Sequence, residues 1–239
     1  MTDKTDLRTQ CALLSSALAN AWSLTCLGAL EHDLLHESQN LVTVALGWTY
    51  FVKDDDFASL KPLLDKAAKA LRRLATLNGS IALCASPQNT FPSGDTLATL
   101  VGYAVSVTGP RLRLAGIDLT TDLPDITLKT TTRPLVLACA LLLRHAVEET
   151  ARVKQRSIRL LGRPIAIKGQ TFAEVEISFL GTSPAFPLVS PDPSDPLRID
   201  LWSGMGLATA HYWLSHTGCT LRYQQQESEV SCVVLIPCH

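Results

Sequence analysis

The chain has 239 residues, 46 % of them hydrophobic and 18 % charged, enough apolar material for one or two packed domains and too much for a disordered chain. Its 21 Lys and Arg against 22 Asp and Glu leave a formal net charge of -1, without the basic surplus that nucleic-acid binders carry. No apolar run reaches the roughly 18 residues of a membrane span, the N-terminal MTDKTDLRTQ has no apolar signal core, and the seven cysteines form no C-x-x-C pair. We therefore expect a cytoplasmic protein with no membrane or nucleic-acid partner, no metal site and no disulfide framework.

Leu7 to Val52 contain no proline and two glycines. Leu27, Leu30, Leu34, Leu41, Ala45 and Trp48 recur there in steps of three, four or seven, which predicts one long helix with Ser38 small enough to sit in its stripe. The acidic cluster Asp54-Asp55-Asp56 closes this helix and opens a second. Leu60, Leu63, Leu64, Ala67, Leu71, Leu74 and Leu77 mark the second helix, with Pro62 in its first turn and Asn78-Gly79 as its stop. A two-helix hairpin cannot bury its apolar stripe alone, so a homodimer forming a four-helix bundle is expected.

Beyond Gly79 the pattern changes. Residues 96–107 predict a helix, and RLRLAGIDLTTDLP followed by ITLKTT predicts short strands around a turn. LVLACALLLRHAVEET is apolar nearly all round and predicts a buried helix. SIRLLGRPIAIKG and FAEVEISFL predict strands. Five prolines between Pro184 and Pro196 predict a surface loop, a glycine-punctuated helix follows from Gly204 to Leu214, and TLRYQQQ and VSCVVLIP predict the last strands. The expected organisation is a helical hairpin at residues 1–80 and an α/β sandwich at residues 81–239, an α+β chain overall.

The segment HESQNLVTVALG, His36 to Gly47, resembles the H-box of sensor histidine kinases. His36, Glu37, Asn40, Thr43 and Gly47 match at the family spacing, while Leu41 stands where that family usually has proline and Val42 where it has leucine. GPRLRLAGIDLTTDLPDITLKTTTRPLVLACALLLRHA resembles the opening strand pair and N-box helix of the kinases' ATP-binding domain. SGMGLATAHYWLSHTG resembles its last glycine box and following helix, and SEVSCVVLIP its final strand. The resemblance implies a dimeric four-helix bundle followed by a degenerate, GHKL-like ATPase α/β sandwich.

It also implies what has been lost. The family's Mg²⁺-holding Asn corresponds to His145, its neighbouring polar position to Arg144 and its upstream Asn to Leu141. The Asp that reads adenine in the D-x-G-x-G box corresponds to Phe179, with Gly181 retained and Ser183 in place of the second glycine. Gly204-Met205-Gly206-Leu207 alone survives of the nucleotide boxes, and we expect Gly204 and Gly206 to be vestigial, starting a helix at a tight turn. Without a metal ligand or base reader a phosphate cradle has little to hold ATP, and imidazole is a poor Mg²⁺ ligand. The pattern is similar to histidine phosphotransferases built on a decayed kinase core, the ChpT kind and the sporulation phosphotransferase of bacilli.

On a helical wheel His36 lies about 160° from Leu34 and about 140° from Leu41, facing solvent, as an approaching aspartyl phosphate requires. The expected roles are His36 as phosphorylated nucleophile and Glu37 as acceptor of the ring proton, while the resemblance implies that Asn40, one turn on and the last residue of an E-x-x-N pattern like that of response-regulator phosphatases, orients water toward a receiver's acyl phosphate. His32, one turn before, is the second-choice phosphoacceptor; Arg144 and His145 are expected at the surface or in caps. His211, His216 and His239 have no metal-ligand spacing. The implied function is a phosphotransferase rather than an ATP-dependent kinase, passing phosphate between response-regulator receiver domains, with a hybrid histidine kinase as a further partner. The chain would bind no cofactor, Mg²⁺ residing on the receiver. The rivals are a receiver phosphatase or sequestering pseudokinase, a residual kinase, and a helical scaffold with a chance H-box.

Overall fold

The structure, a computed structural model, describes residues 4–50, 61–62, 64–75, 96–129, 133–181 and 201–238, with backbone alone at 4–20, 22–23, 48–50 and 201–205. The first helix, α1, runs unbroken over Lys4–Tyr50, within a few residues of the predicted span. With Leu41 in place of the family's proline, no residue between Lys4 and Tyr50 lacks a backbone N–H for the helical ladder. Cys26, Leu30, Leu34, Leu41 and Ala45 are buried along one stripe. A second helix, α2, occupies residues 64–75. Its Ala67 and Ala70 are buried, whereas Leu64 and Leu71, predicted to share the same buried stripe, are exposed. The Trp48 side chain, Leu60, Leu63, Leu77, the acidic cluster at 54–56, Asn78-Gly79 with the boundary at residue 80, and the proline-rich loop lie outside what is described.

The remaining elements are α3 (Leu97–Leu114), β1 (Asp118–Asp122), α4 (Arg133–Thr150), β2 (Ser157–Ile167), β3 (Gln170–Leu180), α5 (Leu201–His216), β4 (Thr220–Gln226) and β5 (Glu229–Pro237). The five strands form one sheet in the order β1-β2-β3-β5-β4. Only β1 and β2 pair in parallel; the other neighbours are antiparallel. Alternation sets the inner face: Ile158 and Leu160, Val175, Ile177 and Phe179, and Val230, Cys232 and Val234 are all buried. The register opposes Ile158 with Phe179 and Phe179 with Val230, so neighbouring strands present one apolar layer. Between β2 and β3 the loop is the two residues Lys168 and Gly169, both at positive φ (50° and 80°), a turn whose twist matches that of the strands.

Helix α4 lies between α3 and α5 and against the sheet, which is why nearly every residue from Leu135 to Val147 is buried. Its Leu137, Leu142 and Leu143 join a core that also takes in Leu30 and Leu34 of α1. Burying each such leucine is worth about 1.5–3 kcal/mol relative to exposure.

Two sequence expectations are corrected. RLRL is helical: α3 continues through Gly109-Pro110 to Leu114, and strand structure starts only at Asp118. Pro110 removes a helical donor at a cost of up to about 3 kcal/mol. Against that, the helical period carries Leu112 into the core beside Val107. The helix ends instead at Gly116, whose φ of +61° allows Gly116 N–H to bond Arg113 O and Ile117 N–H to bond Leu112 O. Among the described residues of ITLKTT, Ile126 to Lys129, only isolated bridges form, at Thr127 and Leu128. The second correction concerns α5, which begins at Leu201 and not at a turn beside Gly204, so Gly204 and Gly206 lie inside the helix.

Candidate functional site

Helix α1 divides its faces by chemistry. Its buried stripe turns toward the core, and His32, His36 and Asn40 stand exposed on successive turns. Asn40 Nδ2 lies 3.2 Å from His36 Nδ1, an i, i+4 contact that engages one of the two ring nitrogens. The oxygen and nitrogen of an amide are interchangeable by rotation, so Asn40 can accept from an Nδ1–H as readily as it donates to a bare Nδ1. Thr43 spends its hydroxyl on Gln39 O, 2.9 Å away within the same helix.

Two carboxylates bracket this histidine, and four arginines hold them. Asp33 Oδ2 accepts from Arg111 Nε and Arg144 Nη1, each at 2.8 Å. Glu37 Oε1 accepts from Arg73 Nη2 at 2.8 Å and Arg113 Nη2 at 2.9 Å. Arg144 Nε also reaches Glu148 Oε1 at 3.0 Å. The two clamps differ in burial. The side chains of Asp33 and Arg144 are 9 % and 13 % exposed, so their pair is shielded, whereas Arg73 and Arg113 at 40 % and 46 % remain in reach of solvent. The hydrogen bond to Asp33 holds the Arg111 guanidinium still more firmly protonated.

Arg144, expected at the surface, is instead the link between α4 and α1. Arg144→Ala is expected to lower unfolding stability by about 2 kcal/mol, because Asp33 then keeps only the more exposed Arg111. Arg144→Met, which retains the hydrocarbon stem, should lose less. Urea denaturation of the two variants checks the order.

Among the sequence-predicted residues, the structure brings His36 and Asn40 together and places Glu37 between Arg73 and Arg113. Reading the sequence missed all four arginines of the clamps in this role. The only local signals were the paired R-x-R of RLRL and the Arg72-Arg73 doublet, and neither names a partner 36 to 111 residues away.

The positions that the resemblance assigns to Mg²⁺ and adenine face inward. His145 is 2 % exposed, a correction to its expected surface or cap role that follows from the cover over α4 on nearly all sides. Its ring meets the Phe179 ring edge-on at 5.8 Å between centroids, with Tyr223 at 6.3 Å. Burial, helped by the Arg152 charge, pushes the His145 imidazole down to a pKa of about 4, so the ring is neutral at neutral pH. A Cβ at Gly181 would meet Glu149 Cβ and Phe179 Cε2, each at 3.3 Å, so close packing accounts for that glycine. At Gly206 an added Cβ would meet nothing within 4 Å. The His145–Phe179 ring pair itself offers neither the oxygen ligand that Mg²⁺ prefers nor a carboxylate for an adenine amino group; the buried carboxylate beside it, Glu149, is paired with Arg152.

Among the described residues no three His, Cys, Asp or Glu are grouped to hold a metal, and no helix is long and apolar enough to cross a membrane. A cavity of about 400 Å³ lies on the sheet between Thr120, Arg159, Glu176 and Glu229, and no α1 residue lines it.

No protein-family model matches the chain, and no curated protein matches it. Among solved structures it is similar to the histidine kinase AdeS of Acinetobacter baumannii, at 17 % identity and a TM-score of 0.47 over 85 % of this chain and 98 % of that one. The catalytic domain of the histidine kinase ThkA in a nucleotide-free form matches at 17 % identity and a TM-score of 0.46, over 61 % of this chain and 95 % of that one. Full-length ShkA in complex with AMPPNP matches at 15 % identity and a TM-score of 0.47, over 94 % of this chain and 45 % of that one. Identities this low, at TM-scores below one half, leave the chemistry to be read from this chain's own residues.

Proposed function

We propose that this chain is a histidine phosphotransferase of a two-component phosphorelay, moving a phosphoryl group between receiver domains through His36 without using ATP. The observation that carries the reading is the state of His36: an exposed imidazole with Nδ1 engaged by Asn40 and Nε2 left for phosphorus. The inward packing of His145 against Phe179 supports an external source for the phosphoryl group. In the forward step the Nε2 lone pair forms a P–N bond as the P–O bond to the receiver's aspartate breaks. The electron pair leaves on the aspartate oxygen, and Mg²⁺ on the receiver neutralises the charge developing there. With its amide turned so that the oxygen faces Nδ1–H, Asn40 would hold the tautomer that leaves Nε2 bare, and Glu37 is the adjacent carboxylate for the ring proton as positive charge develops.

The working unit of this proposal is a homodimer. Leu24, Leu35, Val42 and Leu46 of α1 are exposed and fall within about 40° of one another on the helical wheel. Leu64 and Leu71 make a matching exposed stripe on α2. A second hairpin covering both stripes would complete a four-helix bundle and leave the His36 face, about 100° round α1 from Leu35, open to a receiver.

Isotope-labelled phosphate separates this reading from its rivals. Label appearing on His36 from a phosphorylated receiver, and not from ATP, is the expected result. Label lost from the receiver with none on histidine means a phosphatase, a role that Asn40 would fill only by leaving His36. Label taken from ATP alone means a kinase and overturns the proposal.

A further inference from the structure

We propose that Arg73 and Arg113 are the phosphoryl-binding residues of this site, exchanging Glu37 for the phosphoryl oxygens when His36 is charged. The inference rests on the relay reading and assigns it two residues that no sequence motif marks.

Both guanidinium groups share one oxygen, Glu37 Oε1, so a single carboxylate charge serves two cations. Over the whole cluster four arginines (Arg73, Arg111, Arg113 and Arg144) meet three carboxylates (Asp33, Glu37 and Glu148). The positive surplus lies beside an exposed histidine. A phosphoryl group brings a charge of about -1.5 to -2 and three acceptor oxygens, and arginine binds such a group by two parallel hydrogen bonds. It therefore outcompetes one carboxylate for two guanidinium groups. Leaving Glu37 costs less than breaking a buried pair, because both arginines are well exposed, although the Glu37 side chain itself is only 20 % exposed. The step along α1 from residue 36 to 37 is about 1.5 Å of rise and 100° of rotation, within the swing of a long exposed side chain.

The exchange also balances the ring. As Nε2 forms its bond to phosphorus and the donor's leaving group departs with the electron pair, the imidazole becomes cationic. The arginines released toward the phosphoryl oxygens uncover Glu37 at the moment when the ring needs an anionic neighbour for its Nδ1 proton. The Asp33 clamp takes no part: Arg144 is shielded, and Asp33 and Glu148 hold it in place.

The test uses the full chain and phosphoramidate as a small phosphoryl donor, so that receiver docking is not involved; the donor's P–N bond breaks and ammonia leaves. The Arg73→Gln/Arg113→Gln double variant should label His36 about tenfold more slowly, the loss of one strong charge-assisted contact. In a ³¹P NMR titration its phosphoryl group should take up its second proton at a higher pH than in the unaltered chain. Arg113→Lys should recover part of both effects. Arg111→Gln removes a comparable ion pair from Asp33 and should change neither, which separates phosphoryl binding from simple loosening of the clamp. Thermal melting, compared across all four proteins, verifies the fold, and the lysine variant keeps the test alive if the double variant melts early. A double variant that labels at the unaltered rate with an unchanged titration overturns the exchange while leaving His36 as acceptor. An unaltered chain that takes no label on His36, from phosphoramidate or from a receiver, removes the relay reading and this inference together.

Discussion

His36→Ala is expected to reduce phosphoryl capture from a phosphorylated receiver to the background of a reaction without the protein, and His32→Ala to leave capture within about threefold of the unaltered chain. The two histidines are both exposed, one turn apart on the same face of α1, and exposure alone does not choose between them. Their surroundings do. Asn40 stands one turn after His36 and contacts its Nδ1, which restrains the ring and leaves Nε2 outside that contact. The residue one turn after His32 is His36, which already has that partner. Glu37 and its two arginines adjoin His36, whereas His32 lies between Glu31 and Asp33, of which Asp33 is committed to the shielded pair with Arg144. Removing the nucleophile eliminates the covalent route altogether, a larger effect than any positioning residue can have. Acid-labile, base-stable label on the protein after mixing with a labelled receiver is the readout. Capture that survives His36→Ala and disappears in His32→Ala would transfer the nucleophile one turn toward the N-terminus.

Where burial and periodicity agree, the sequence was legible. The α1 stripe, the all-round apolar α4 and the alternating stretches of β2 and β3 each carry one period over several residues, and each folded as that period demands. The exposed setting of His36 followed from the same wheel. What was not legible depends on contacts distant in sequence. RLRL reads as a strand because Gly109-Pro110 is a strong local stop, yet Leu112 gains a place in the core only if the helix runs on. That misreading hid Arg111 and Arg113, since a strand would have sent alternate residues to opposite faces and obscured their common approach to α1. Arg144 and His145 show the same gap on α4. Being adjacent in the chain, they point about 100° apart, one to Asp33 and one into the aromatic interior, and no local pattern names either destination. Leu64 and Leu71 failed differently. They carry the helical period faithfully but lie on a face of α2 that is open to solvent.

Acid should destabilise the protein through His145 by an amount that a variant can isolate. Burial and the Arg152 charge lower its pKa from the ordinary 6.5 to about 4. Between those values the unfolded chain binds a proton that the folded chain refuses, so unfolding stability falls as pH falls across the window and is recovered above it. In full, the difference corresponds to about 3 kcal/mol. Carboxylates titrate over part of the same range, so the quantity to measure is the difference between the unaltered chain and His145→Leu, by urea denaturation at pH 7 and at about pH 4.5. The leucine variant should be the flatter of the two, because it has no proton to bind in either state. The outcome bears on function as well as on stability. A neutral ring packed edge-on against Phe179 is a buried packing partner and offers no oxygen ligand of its own to Mg²⁺. Equal pH slopes would mean that His145 protonates freely in the folded protein. Water would then reach the ring, the interior would be open where a nucleotide's metal ought to sit, and the case for an external phosphoryl source would lose its structural support.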